Sequence, residues 1–161
     1  MNLNIPYMET DNKLLNDAYR IAAGDIVGNI VYYQNGLLTE EKPCMIAGLD
    51  YNTPWTRDTA INIWNALSIL SPEVSKNTLL AVLEEEEGNI YIGGQYWDSI
   101  IWMIGAREYC RFHKDDNFYR LAFEAGRNSV HRLEEGEFDE EDGLFRGPAV
   151  YGDGIAAYPD K

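Results

Sequence analysis

Along most of the chain apolar residues recur at three- and four-residue steps, the spacing that lines one face of a helix. Leu15, Ala18, Ala22, Ile26 and Ile30 keep this period and predict a first helix from about Asn12 to Tyr33. Gly24 and Gly28 fall inside it; they lower helix propensity but would let a neighbouring helix come close. A second helix is expected from about Arg57 to Leu70, with Ala60, Trp64 and Leu67 on one face. The third has the clearest start: Ser71 can cap, Pro72 suits the first helical position, and Glu73 suits the positive end of the dipole. Gly88 reads as its stop, so Glu84 to Glu87 would sit at its negative end, where carboxylates do not help a helix. Solvation accounts for these four, and no chemistry is assigned to them. A fourth helix runs from about Asp98 to Phe112, with Trp97, Ile101, Ile104 and Glu108 in line. A fifth starts near Asp116, turns Phe118, Leu121, Ala122 and Ala125 inward and ends by Gly136.

No pair of alternating segments joined by a hairpin turn stands out, so the expected fold class is all-α, a single domain over residues 1–161. The connections 34–54, 88–97 and 137–155 are longer than a plain bundle needs. If consecutive helices run antiparallel, all three emerge at one end. Any chemistry is expected there.

Composition narrows the choice of partner. Asp and Glu number 27 against 13 Lys and Arg, a net charge of −14, which opposes contact with nucleic-acid phosphates and with an anionic membrane. No apolar run approaches the length of a spanning helix, and the first residues lack a secretory pattern, so a soluble, cytoplasmic protein is expected. Cys44 and Cys110 stand far apart and read as reduced thiols; neither a metal site nor a cofactor is indicated. His113 and His131 have no partner at metal or triad spacing. An EF-hand does not fit the acidic residues around Gly143.

Three segments combine aromatic and polar groups. Tyr51 to Asp58 opens the second helix and places Trp55 beside the Arg57 fork of donors and the Asp58 acceptors. An aromatic ring suits the apolar face of a pyranose, and paired donors and acceptors suit its hydroxyls. The same residues serve equally as cap, surface pair and core aromatic. Gly93 to Ser99 repeats the pattern before the fourth helix with Gln95, Tyr96, Trp97 and Asp98; capping by Asp98 or Ser99 is the plainer reading. Asp142 to Gly154 sets Asp153 between glycines, where a carboxyl with a raised pKa could serve as general acid; an acidic turn is the alternative.

Taken in order, the blocks Trp55-Thr56-Arg57-Asp58, Tyr96-Trp97-Asp98-Ser99 and Asp142-Gly143-Leu144 followed by Asp153 resemble the six-hairpin glycoside hydrolases of the glucoamylase-like and glycogen-debranching-like group. The likeness covers residues from about 50 to 155, most of the chain. It implies consecutive antiparallel helical hairpins forming about half of an (α/α)6 toroid, and a −1 sugar site built from Tyr51, Trp55, Arg57, Asp58, Gln95, Tyr96, Trp97 and Asp98. Asp153 would protonate the leaving oxygen of an α-linked, exo-cleaved substrate. Inverting hydrolysis needs a second carboxylate some 6.5–9.5 Å away, and none is evident. A closed ring needs on the order of 360 residues at ordinary helix lengths. The implied partners are a carbohydrate and either a second copy or a C-terminal half that completes the ring. The alternatives are a noncatalytic carbohydrate-binding or assembly module, and a sugar isomerase or phosphorylase.

Overall fold

The structure is a computed structural model and describes residues 5–48, 50–95 and 98–146. In chain order the elements are α1 (Lys13–Gly28), β1 (Ile30–Tyr33), β2 (Lys42–Met45), α2 (Thr56–Asn62), α3 (Ser68–Leu70), α4 (Pro72–Ala81), β3 (Leu83–Glu86), β4 (Asn89–Ile92), α5 (Asp98–His113), α6 (Asp116–Glu137), β5 (Phe138–Asp139) and β6 (Leu144–Phe145). A π-helical turn, Ile63–Leu67, joins α2 to α3, so Thr56–Leu70 forms one rod.

The expected all-α arc of consecutive antiparallel hairpins, about half of an (α/α)6 toroid, is corrected: three antiparallel two-stranded ribbons accompany the helices, giving a mixed helix-and-strand fold. The first helix stops at Gly28 because Ile30, Val31, Tyr32 and Tyr33 are β-branched or aromatic and pair with Met45, Cys44, Pro43 and Lys42. The third helix stops at Ala81, well before Gly88. Glu84, Glu85 and Glu86 therefore lie on a strand and pair with Tyr91, Ile90 and Asn89. Glu87 and Gly88 make the two-residue turn, with φ of 51° and 80°; two positive angles define the tight hairpin whose twist matches its strands. The helical spacing hid a period of two: Leu83, Ile90 and Ile92 pack on the core, whereas Glu84 and Tyr91 line a surface hollow. The single all-α domain proposed over 1–161 is thus a mixed helix-and-ribbon unit over the described residues.

Local chemistry sets the helix starts. Asn12, Ser71 and Asp115 each accept from backbone N–H groups one helical turn ahead, and Pro72 occupies a position with no helical N–H to lose. Helix directions follow from three cross-links between the rod and α5: Arg57 to Asp98, Ala60 against Gly105, and Ser68 to His113. Both numbers of each pair increase together, so the two run parallel. A Cβ on Gly105 would come within 2.8 Å of the Ala60 Cα, so the helices meet backbone to backbone there. Helix α4 runs against α5, with Trp102 donating to the Leu79 carbonyl and Lys76 pairing with Asp115 just beyond α5. Helix α6 also runs against α5, setting Phe118 on Tyr109 and Gly126 on Met103.

Between them lies one main core of Ile63, Leu67, Val74, Leu79, Leu83, Trp102, Phe118 and their neighbours. Trp102 and Phe118 are its largest fully buried side chains. Helix α1 is different. It has no buried residue, leaves Leu14 and Ile21 exposed, and among the described residues nothing lies within 4 Å of a Cβ built at Gly24 or Gly28. The close neighbour expected at those glycines is not present among the described residues. No helix of the described residues is long and apolar enough to cross a membrane.

Candidate functional site

Because the rod and α5 run parallel, their N-terminal ends lie side by side, and α6 returns its C-terminal end to the same place. Arg57, in the first turn of α2, donates from Nε to Asp98 Oδ1 at 3.2 Å. Both side chains are largely out of water, 14% and 4% exposed, so the pair is a buried one. Asp98 Oδ2 accepts the Gln95 backbone N–H at 3.0 Å, tying the first residue of α5 to the segment before it. Thr56 ties the two ends further, donating to the Gly93 carbonyl at 2.7 Å. Gly94 has φ of 121°, and a Cβ there would meet Asp98 Oδ2 and Thr56 Oγ1 at 2.9 Å. A side chain at that position cannot be housed without dismantling the joint.

These residues border a hollow of about 260 Å³, whose walls include Trp55, Thr56, Gln95 and Asp98 together with Asn35 and Thr53. That is a little under the roughly 300 Å³ at which pockets for drug-sized ligands begin, a volume for one small polar ring. Trp55 is 41% exposed, and Tyr51 meets it edge-on with centroids 6.0 Å apart. The indole at the mouth of this largely apolar hollow provides a stacking surface.

Of the residues singled out in the sequence, Trp55, Gln95 and Asp98 thus share one hollow. Arg57 stands behind it, bound to Asp98; Tyr51 buttresses Trp55. Asp58 is half-buried, about 100° around the helix from Arg57, and is not among the described residues bordering the hollow. Tyr96, Trp97 and Asp153 lie outside the described residues. Asp142, Gly143 and Leu144 belong to the β5–β6 ribbon: Asp139 accepts from the Glu141 and Asp142 N–H groups, and Gly143 turns the chain at φ of 68°. Those two backbone hydrogen bonds, with Arg146 alongside, hold the Asp139 carboxyl below the usual carboxylate range.

Glu84 was missed. It lines the 260 Å³ hollow and also a second one of about 560 Å³, and its Oε1 would lie 2.5 Å from a Cβ on Gly93. Among the described residues its carboxylate makes no hydrogen bond or ion pair, while its backbone belongs to the β3–β4 ribbon. The signal was present in the Glu87-Gly88 turn between two four-residue runs, which makes Glu84 a strand residue facing away from the core. The second hollow also holds Arg132, whose guanidinium lies 3.4 Å from the centre of the Tyr91 ring and donates to Glu86 at 2.6 Å. The hydrogen bond to Glu86 raises the Arg132 pKa further, so its charge is fixed. Among the described residues no group of three or more His, Cys, Asp or Glu side chains could hold a metal ion.

Comparison with protein-family models, with curated proteins and with solved structures gives no match to this chain.

Proposed function

We propose that the chain binds a sugar ring in the Trp55–Gln95–Asp98 hollow and belongs to a glycoside hydrolase acting on α-linked carbohydrate. One observation carries this reading: two helix starts 41 residues apart in sequence are locked by the Arg57–Asp98 pair around a one-ring hollow with an open indole at its edge. An aromatic face supplies the apolar contact, while Gln95, Asn35 and Thr53 offer amide and hydroxyl groups to ring hydroxyls. Arg57 acts as a positioning residue that holds the Asp98 carboxylate in its orientation. Asp153, in this reading, is the proton donor to the leaving oxygen.

The noncatalytic alternative also has support. Both Asp98 carboxylate oxygens already have protein partners, Arg57 and the Gln95 N–H, which suits a fixed wall of a binding hollow. Titrating the chain with glucose and with mannose, followed by calorimetry, tests the shared part. Trp55→Ala is expected to lose binding with its helical circular dichroism unchanged; retained affinity refutes the sugar site. Turnover of an α-linked aryl glycoside that disappears in Asp153→Asn supports the hydrolase. Binding without turnover supports the alternative.

A further inference from the structure

The two hollows beside the Gly93–Gln95 segment share Glu84, Gly93, Gly94 and Gln95 as walls. Gly93 is buried and lies flush, since a Cβ there would strike Glu84 Oε1 and the Val82 carbonyl at 2.5 and 2.8 Å. The divider between the hollows is therefore glycine backbone with the Glu84 carboxylate and the Gln95 residue beside it. From these observations we infer that the hollows form one trough for an oligosaccharide of at least two linked units, with Glu84 recognising hydroxyls at the junction and the larger hollow holding the second unit.

This rests on the sugar reading of the smaller hollow and extends it to a region with none of the motif residues other than Gln95 and Ser99. The chemistry of the larger hollow fits a neutral, hydroxyl-rich ligand better than an ionic one. Arg132 is balanced by Glu86, so the hollow offers no unpaired cation to an anion. Glu84 and Glu137 supply acceptors, Gln95 can both donate and accept, and the 560 Å³ volume exceeds one ring. Tyr91 is held flat under Arg132, which stiffens the floor. Gly136 lies in the wall with nothing within 4 Å of its would-be side chain, so the hollow is open there.

Calorimetry with glucose, maltose and maltotriose, and with mannose and α-linked mannobiose, separates the two levels. The expected result is that a disaccharide binds at least about ten-fold more tightly than its monosaccharide. Gly136→Trp, which fills only the larger hollow, should remove most of that gain while leaving monosaccharide affinity within about two-fold, and Glu84→Gln, at the junction, should weaken the disaccharide more than the monosaccharide. Gly136 replaces nothing in the core and improves helix propensity, so the variant is expected to fold; circular dichroism checks this. Equal affinity for mono- and disaccharide overturns the trough but leaves the one-ring site standing. A gain that survives Gly136→Trp also overturns it. No binding of any of these sugars removes both.

Discussion

Helices α1 and α5 have the same length, 16 residues, and both carry apolar residues at helical spacing, yet they end up in opposite surroundings. Helix α5 buries seven residues, Trp102 among them, because the rod, α4 and α6 surround it. Helix α1 buries none; only Ile26 and Ile30, at and just past its end, touch the core. An apolar stripe predicts that a helix forms and which face can be buried. What covers that face depends on partners far away in the chain, and for α1 the described residues provide almost nothing.

The sharpest test of this contrast is truncation. Trp102→Ala opens a cavity in the packed core and is expected to cost about 3–5 kcal/mol in denaturant unfolding. Leu14→Ala, at a site 78% exposed, should stay within about 0.5 kcal/mol. If the two losses are similar, α1 is covered in solution by something this structure does not contain. Next comes the joint at the helix starts. Arg57→Ala leaves Asp98 buried without its cation, worth about 3 kcal/mol, and Arg57→Ala with Asp98→Ala should cost less than the sum of the single changes.

A titration distinguishes the same regions by pH. Burial pushes the Cys44 thiol from 9.0 to about 12, and burial, with Asp115 nearby, pushes Tyr109 from 10.0 to about 12. The folded protein holds both protons longer than the unfolded chain, so their contribution is whole below pH 9 and is lost as pH rises towards 12. Asp115 moves the other way: Lys76, its first partner, and the Phe118 N–H keep it below 3.8. Its contribution exists above that value and fades as pH falls through it. Unfolding midpoints followed from pH 7 to 11 should drop in the wild type and drop less in Tyr109→Phe. Smallest of all are two glycine changes of opposite sign. Gly88→Ala forces a Cβ into φ of 80° and should cost about 1 kcal/mol, whereas Gly24→Ala in uncrowded α1 should gain roughly 0.5–1 kcal/mol.

The long helices were legible in the sequence because each has both a stripe and a marked start: Ser71-Pro72 for α4 and Asp115 for α6. The ribbons were not. Strands of two to four residues are too short to separate a period of two from one of 3.6, and Ile26 to Ile30 continues the helical step into β1. Acidic residues are unusual on strands, and the run at Glu84 to Glu87 looked like a helix end for that reason. At the site, aromatic-plus-charge blocks at two helix starts drew attention to Trp55, Gln95 and Asp98. The pairing of Arg57 with Asp98 depends on the parallel packing of the rod and α5, which no local pattern encodes. Glu84 was lost with its strand.

The π turn at Ile63–Leu67 gives the rod one residue more than an α-helix would need for that span. Each residue advances a helix by about 100°, so the azimuth of Arg57 and that of Ser68 are set by this surplus. Excising a single residue from the turn would leave a smoother helix that can satisfy Asp98 at one end or His113 at the other, but not both. The irregularity is thus a phase correction between two anchors, and a shorter, more regular sequence would spoil the alignment.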